Sequence, residues 1–197
     1  MARSLQTQWE AAVNRLLVPL CLLLALNGCF GSGKNPVKVI PPPTTWPLVQ
    51  SPRVVLSNLV KSYSYRDSAH YLACFDTAYA GSSYNGHDGY PPVPAAYTFA
   101  DEAAHISKIQ RSPTILHVVL DLPNYQGAPM DTLAGDPPGW VTISIYNPKV
   151  EIDEVSGSLA IATGETFEFK FTPTAVSTSV SPTGKLWKIA RWREISP

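Results

Sequence analysis

The stretch Gly184-Lys-Leu-Trp-Lys-Ile-Ala-Arg-Trp-Arg-Glu-Ile195 decides the fold of this chain. Gly184 closes a turn, and the β-forming residues after it are interleaved with polar ones, which is the pattern of a half-buried strand. Because side chains alternate along a strand, Trp187 and Ile189 share one face and require a facing core. If the strand is regular, Arg191 shares that face. We expect the chain from Ser51 onward to build this core.

The residues before this stretch change from a helical to an alternating period. Ser51-Pro52 predicts the start of a helix that runs to Tyr63, and a shorter helix restarts at Asp67 or Ser68 and continues through Phe75. A capping box at Thr98–Asp101 predicts a third helix. From Thr114 onward the segments alternate as strands do, at residues 114–122, 141–146 and 166–171, with 150–155 as a weaker candidate. Helices followed by strands favour an α+β fold with an antiparallel sheet.

Composition and spacing exclude several kinds of partner and site. The chain has 15 basic and 15 acidic residues among 197, so it offers no broad positive surface for nucleic acid. The histidines and cysteines match no metal-binding spacing, and no phosphate-binding loop or nucleophile elbow is present. We therefore expect no metal, no cofactor and no nucleic-acid partner.

The N-terminal residues have the pattern of an export signal. Arg3 and Arg15 precede an uncharged apolar run at residues 16–26. That run is shorter than the about 20 residues that span a bilayer, and it has the length of a signal-peptide core. Leu26-Asn-Gly-Cys29 follows and resembles the lipobox of bacterial lipoproteins, with Asn27 as a departure. The alternative is an ordinary cleaved signal peptide.

The lipobox resemblance implies a domain organisation and a location. Residues 1–28 would be removed, and Cys29 would carry lipid chains, palmitate among them, that hold the protein on a membrane. Residues 29–50 are proline-rich and predict a semi-rigid tether, or alternatively a proline-rich recognition ligand. Phe30 favours the outer membrane, facing the periplasm or the cell surface, over the inner membrane. Cys74 is expected to be a buried, inert thiol.

Residues 51–197 form the predicted domain, and they resemble a known family. Residues 51–76 resemble the opening helix pair of bacterial nuclear-transport-factor-2-like domains, a family that includes SnoaL-like proteins and steroid isomerases. Residues 185–193 resemble the last strand of those domains, and the predicted helix at Ala100–Glu102 falls where their third helix should. The resemblance implies a cone, in which a strongly curved antiparallel sheet wraps around three N-terminal helices and an open end leads to a pocket.

The first functional hypothesis is binding without catalysis. It implies a lipoprotein of the cell envelope whose domain binds a small hydrophobic molecule or an envelope protein, with a homodimer as another form of partner. The loop at residues 81–96 would rim the pocket and supply Tyr84, Tyr90 and the adjacent Tyr97 as contacts. Arg191 would pair with an anion at the rim, or alternatively with a helix carboxylate such as Asp76 or Glu102.

The second hypothesis is an enzyme on the same scaffold. The resembling family includes isomerases, cyclases and dehydratases, which use a cavity carboxylate or histidine as the base and an acid or tyrosine as the donor. In this chain His117 or Asp121 would be the base, with Tyr79 or Tyr97 as the donor. A hydrolase is a further form of this alternative. A polar loop tip explains His87 without a function.

Overall fold

The computed structural model describes residues 43–84, 94–161 and 165–195. The predicted signal peptide, Cys29, His87 and Tyr90 lie outside these residues, and the side chain of Tyr84 is not described. No helix within the described residues is long and apolar enough to cross a membrane.

Three helices lie within the described part of the chain: α1 (Pro52–Tyr65), α2 (Ser68–Ala73) and α3 (Phe99–Arg111). Helix α1 starts where the sequence predicts, because the Ser51 side chain accepts a hydrogen bond from the Val54 amide. Helix α3 starts with the predicted capping box between Thr98 and Asp101. Two strands precede α3, so the chain does not run through all its helices before its first strand.

Eight strands form two sheets within the described residues. The strands are β1 (Phe75–Tyr84), β2 (Pro94–Thr98), β3 (Ile115–Asp121), β4 (Val141–Tyr146), β5 (Lys149–Glu154), β6 (Gly157–Ile161), β7 (Thr166–Ala175) and β8 (Lys185–Ile195). One sheet has the order β2-β1-β8-β7-β4, and the other has the order β3-β5-β6. Helix α1 packs against β3 and β8. The predicted α+β fold, with helices packed on a sheet, is confirmed.

The strands differ from the expected single antiparallel sheet in forming two sheets and in containing one parallel pair. Strand β1 runs parallel to β8, whereas the other pairs are antiparallel. Two parallel strands require a long connection between them. The connection from β1 to β8 includes every element from β2 to β7. The predicted second helix ends earlier than expected, at Ala73. Phe75 begins β1 instead, after the Cys74 carbonyl accepts the Ile189 amide at 2.8 Å.

The segment predicted as a loop at residues 81–96 contributes strand residues at both of its ends. Gly81–Tyr84 belongs to β1, and Pro94–Ala96 belongs to β2. The two strands pair with Gly81 opposite Tyr97. The prediction of a loop is therefore wrong for these residues, and the intervening residues 85–93 lie outside the described part of the chain.

The core lies between the helices and the two sheets. Its fully buried side chains include the aromatic series Phe167, Phe169 and Phe171 of β7, together with Ile189 of β8. The helices contribute buried aliphatic residues, namely Val55, Leu56, Leu59, Ile106 and Ile109. Trp187, which the sequence predicts to be central, is only half-buried and packs at the margin of this cluster.

A β-bulge in β8 changes which side chains face the core. Lys170 pairs with Arg191 and the next residue, Phe171, pairs with Ile189, so Ala190 is the extra residue. Ile189 and Ala190 are both buried. Beyond the bulge, Trp192 faces inward, with its ring centre 4.9 Å from that of Phe169. The regular strand expected from the sequence is interrupted here, which moves Arg191 to the opposite face.

The last residues of the predicted tether contact the domain. The Trp46 ring stacks on the His70 ring with a centroid separation of 4.2 Å. Asn58 Nδ2 donates to the Pro47 carbonyl at 2.9 Å, and the Trp187 amide donates to the Val49 carbonyl at 2.9 Å. These contacts fasten residues 46–49 to α1, α2 and β8.

Candidate functional site

A cavity of about 450 Å³ opens between the helices and the two sheets. Its lining comes from all three helices and from both sheets: Tyr63, Tyr71, Tyr79, Ser82, Ser83, Tyr97, Asp101, Glu102, Ala104, His105, Leu120, Val150, Ile152, Phe167, Trp192 and Glu194. The exposed members of this set mark the mouth, and they are Tyr97, Asp101, Ala104 and His105. The buried members, such as Tyr71, Leu120 and Phe167, lie in the interior.

Glu102 of α3 is the centre of the polar part of the cavity. Tyr71 Oη donates to Glu102 Oε2 at 2.8 Å, and Tyr79 Oη donates to Glu102 Oε1 at 3.1 Å. Burial raises the pKa of the Glu102 carboxyl, and the two tyrosine hydrogen bonds oppose that rise. Each carboxyl oxygen thus has one phenolic donor, and the group is suited to holding or releasing a proton.

Gly81 permits the position of the Tyr79 ring. A Cβ atom at Gly81 would overlap the hydroxyl of Tyr79 and come within 3.2 Å of the Trp192 carbonyl oxygen. The ring of Tyr79 packs edge-on against Phe75, with centres 4.9 Å apart. The missing side chain at Gly81 therefore leaves the space through which Tyr79 reaches Glu102.

His105 lies one helical turn after Glu102, at the mouth of the cavity. Residues three apart on a helix share a face, so both side chains project toward the cavity. His105 Nε2 lies 3.2 Å from Tyr63 Oη, within hydrogen-bonding distance. His105 is partly exposed to solvent, but desolvation lowers its pKa, and the Lys108 charge lowers the pKa further. The imidazole is therefore uncharged at neutral pH.

Glu194 of β8 is a second acid in the cavity, and it faces inward because of the bulge at Ala190. Ser83 Oγ of β1 donates a hydrogen bond to Glu194 Oε2. Burial raises the pKa of Glu194, and the charges of Glu165 and Glu102 raise it further, while the Ser83 bond lowers it. The cavity therefore holds two partly desolvated carboxyl groups.

The tyrosine hydroxyls of the cavity remain protonated. Burial raises the pKa of Tyr63, Tyr71 and Tyr79, and the Glu102 charge adds to the rise in each case. They are donors and acceptors of hydrogen bonds at physiological pH. The apolar wall of the cavity consists of Leu120, Val150, Ile152, Phe167 and Trp192. Glu194 borders this wall, because it lies directly across from Phe167 in the pairing of β7 with β8.

Two of the tyrosines predicted from the sequence lie in this cavity. Tyr79, predicted as a donor, binds Glu102 as described above. Tyr97, predicted both as a donor and as a ligand contact, lies at the mouth with 39% of its surface exposed. Tyr84 is the last residue of β1, and Tyr90 lies outside the described residues.

The two residues predicted as alternative bases lie on the outer side of β3. His117 is exposed, and its Nδ1 lies 3.7 Å from Asp153 Oδ2. Asp121 is also exposed, while its neighbour Leu120 lines the cavity. Because side chains alternate along a strand, Asp121 points away from the cavity that Leu120 enters. The structure does not bring His117 or Asp121 together with Tyr79.

Arg191 also lies away from the cavity. Its guanidinium carbon is 5.6 Å from the centre of the Trp140 ring, and its Nη1 donates to the Ala78 carbonyl at 3.1 Å. Glu102, one of its two predicted carboxylate partners, is bound by Tyr71 and Tyr79 instead. The bulge at Ala190 is the physical reason, because it moves Arg191 off the face shared by Trp187 and Ile189.

The residues that the sequence analysis missed are mostly polar residues on buried faces: Tyr63, Tyr71, Glu102, His105 and Glu194. One signal marks Glu102, which stands four residues before Ile106 and seven before Ile109 and therefore shares the apolar face of α3 with them. A carboxylate on such a face is rare unless it has a partner or a function. No comparable signal marks Glu194, because its inward orientation depends on the bulge.

Comparisons with known proteins gave similarity at the level of structure alone. No family model matches the sequence, and no curated protein matches it. A nuclear transport factor 2 (NTF2-like) superfamily protein from Salmonella enterica is similar, with 12% identity, a TM-score of 0.46, and coverage of 73% of this chain and 86% of that chain.

Two further solved structures have comparable values. ActVI-ORFA from Streptomyces coelicolor is 15% identical with a TM-score of 0.42, and the match covers 71% of this chain and 90% of that one. A hexachlorocyclohexane dehydrochlorinase (LinA) is 11% identical with a TM-score of 0.44, over 71% of this chain and 78% of that one. The solved structures similar to this chain therefore include a member of the NTF2-like superfamily.

Proposed function

We propose that the chain is a membrane-anchored lipoprotein of the bacterial cell envelope whose cavity binds a small molecule with an apolar body and a polar end. The observation that supports ligand binding most is that one cavity combines this apolar wall with a polar cluster around Glu102. Its volume of about 450 Å³ lies in the range of small-molecule sites, which is roughly 300–1,000 Å³.

The apolar wall supplies the affinity of the proposed complex. Phe167 and Leu120 are buried and belong to different sheets, so a ligand between them is covered from both sides. Removing apolar surface from water contributes about 25 cal/mol per Å². The polar cluster supplies orientation, because Glu102, Tyr71 and Tyr79 are already fixed by hydrogen bonds before a ligand arrives.

A fluorescent probe tests the cavity directly. The full chain carrying Cys29→Ser, which removes the lipidation site, is titrated with N-phenyl-1-naphthylamine, an uncharged apolar dye. We expect saturable binding that is lost in Ala104→Trp, which fills the mouth. The control is Lys108→Trp, an exposed position one turn further along α3. Non-saturable binding, or equal binding in both variants, contradicts the proposal.

The anchor is proposed from Leu26-Asn-Gly-Cys29 and from the apolar run before it. Two or more acyl chains on Cys29 would hold the protein on a membrane stably, whereas a single chain would not. We expect Cys29→Ser to release the protein from the membrane fraction or to stall its processing. Mass spectrometry of the first mature peptide tests the lipidation of Cys29. If that peptide carries no lipid in the unmutated protein, the proposed anchor is wrong. An envelope-protein partner and a homodimer remain predictions.

A second candidate function is proton transfer, and one observation favours it. Glu102 combines a raised pKa with two phenolic donors, which are the parts of an acid–base pair for an isomerase or a dehydratase. Glu102 replaces His117 and Asp121 as the base of that hypothesis. Turnover of hydrophobic ketones or esters that disappears in Glu102→Gln, with the fold intact, would favour the enzyme. Turnover that persists in Glu102→Gln would exclude this role.

A further inference from the structure

We infer that the ligand of this cavity is an organic cation, with an ammonium group that contacts the carboxyls of Glu102 and Glu194 and an apolar body packed on Trp192 and Phe167. The inference rests on the proposed function and specifies the charge of the ligand. It follows from the distribution of charge between the two faces of the sheet that carries β8.

The acidic and basic side chains near the end of β8 lie on opposite faces of the strand. Beyond the bulge, Trp192 and Glu194 line the cavity, while Arg191 and Arg193 alternate with them and face outward. Arg191 lies over the Trp140 ring, and Arg193 Nη1 lies 3.3 Å from Glu168 Oε1. On neighbouring β7, Lys170 binds Asp136 at 2.6 Å. Arg191, Arg193 and Lys170 are thus engaged away from the cavity.

The cavity itself is lined by carboxyl groups without a matching cation. Glu102 and Glu194 lie within it, and Asp101 lies at its mouth. No lysine or arginine is among its lining residues in the described part of the chain. His105 is held uncharged by the lowered pKa described above. An anionic ligand would meet only negative charge here, whereas an ammonium ion would meet two carboxyls in a site of low dielectric.

The carboxyls gain from a cation because they disfavour each other when the cavity is empty. Glu102 and Glu194 line the same cavity, and the Glu102 charge is one cause of the raised pKa of Glu194. A bound ammonium group offsets both the desolvation and the repulsion of the ionised pair. The phenolic oxygens of Tyr71 and Tyr79, whose protons point to Glu102, have acceptor capacity left for ammonium N–H groups.

The aromatic wall also suits a cation. Trp192 and Phe167 both line the cavity, with ring centres 5.2 Å apart in an edge-on arrangement. Indole is the side chain that binds cations most strongly through its face. An arylalkylamine would use both features, because its ring would pack on the apolar wall while its ammonium group reaches the carboxyls.

Three probes of the same shape and different charge test the inference. Tryptamine is the cation, tryptophol the neutral alcohol and indole-3-propionate the anion, each titrated by calorimetry into the full chain carrying Cys29→Ser. We expect tryptamine to bind at least about tenfold more tightly than tryptophol, the lower range for a hydrogen bond to a charged group, and indole-3-propionate to bind most weakly. This ranking needs no variant of the cavity, so it does not depend on how a variant folds.

Variants then locate the effect. Glu102→Gln and Glu194→Gln should each weaken tryptamine binding at least about tenfold, and each should weaken tryptophol binding by a smaller factor. The matched control is Glu151→Gln on β5. Its neighbours Val150 and Ile152 line the cavity, whereas Glu151 itself pairs with Lys149 outside the cavity. Tryptophol or indole-3-propionate binding as tightly as tryptamine would overturn the cation inference alone. Failure of all three probes and of the naphthylamine dye would overturn the proposed function as well.

Discussion

Tyr71 and Glu102 join α2 to α3 across the cavity, through a hydrogen bond of 2.8 Å from a phenol that is 1% exposed. A short helix of six residues is thereby connected to the capped first turn of a longer one. The same bond restrains the carboxyl on which the proposed function depends. This pair of side chains therefore connects two helices and also fixes the carboxyl that would orient a ligand.

Removal of the Tyr71 hydroxyl should destabilise the domain and perturb Glu102. We expect Tyr71→Phe to lower the free energy of unfolding by about 1–2 kcal/mol, because a buried carboxyl oxygen loses its donor. The pKa of Glu102 should rise further, since this hydrogen bond lowers it. Urea denaturation and carbon NMR titration of the carboxyl measure the two effects. Tyr146→Phe, at a 70% exposed position, is the control. An unchanged Glu102 pKa in Tyr71→Phe would show that the Tyr71 hydrogen bond does not lower it.

The raised pKa values of Glu102 and Glu194 predict a pH dependence of stability. The folded state binds these protons more tightly than the unfolded state, where the ordinary value of 4.5 applies. Their contribution to the free energy of unfolding is therefore complete below pH 4.5, and it is lost as the pH rises through the folded-state values. Glu102→Gln and Glu194→Gln should each flatten this decline relative to the unmutated protein.

Urea denaturation at intervals between about pH 4 and pH 8 measures that decline. The comparison of each variant with the unmutated protein removes the contributions of those titrating groups that do not interact with the replaced acid. Glu151→Gln serves again as the control, since it changes an acid outside the cavity. Identical slopes in Glu102→Gln and the unmutated protein would show that Glu102 does not titrate differently on folding.

The bulge in β8 predicts unequal effects for two residues of the deciding stretch. Ile189 is fully buried, so Ile189→Ala should cost about 2–5 kcal/mol of stability. Trp187 is half-buried at the core margin, so Trp187→Ala should cost less than the about 3–5 kcal/mol typical of a buried aromatic residue. Val180→Ala, at a 51% exposed position, should change stability by less than about 0.5 kcal/mol. A larger loss of stability in Trp187→Ala than in Ile189→Ala would show that Trp187, and not Ile189, lies at the centre of the core.

Cys74 should be unreactive in the folded protein. Burial raises the pKa of its thiol to about 12, and the Lys188 charge lowers it only in part. The side chain is buried, with Sγ 3.3 Å from the His70 carbonyl oxygen. We expect iodoacetamide at pH 8 to leave the Cys74 peptide unmodified, as measured by peptide mass, and to modify it in urea. Modification of Cys74 under native conditions at the rate seen in urea would contradict its burial.

The sequence predicts the elements whose pattern is strong. The alternation in residues 166–171 predicts β7, and the capping box at Thr98 predicts the start of α3. Strand β1 escapes prediction because Ala78, Gly81 and Ser82 lack the bulk and the alternation of a typical strand. Its place in the sheet is determined by tertiary pairing with β8, which sequence periodicity does not report.

The candidate site is less predictable than the fold for a related reason. Tyr79 could be selected in advance as a donor, but its partner Glu102 is marked in the sequence only by its position on the apolar face of α3. Glu194 reaches the cavity only because one extra residue, Ala190, reverses the alternation of β8. A single inserted residue thus changes the sign of the charge that the strand presents to the cavity, from Arg191 to Glu194.

The stacking of Trp46 on His70 limits how far the domain would reach from a membrane. If Cys29 carries lipid, only seventeen residues lead from the anchor to Trp46. Even a fully extended chain of that length spans at most about 60 Å. The cavity would then stay within a short distance of the lipid surface. Molecules that enter or leave the membrane would therefore reach it sooner than molecules in the bulk solution.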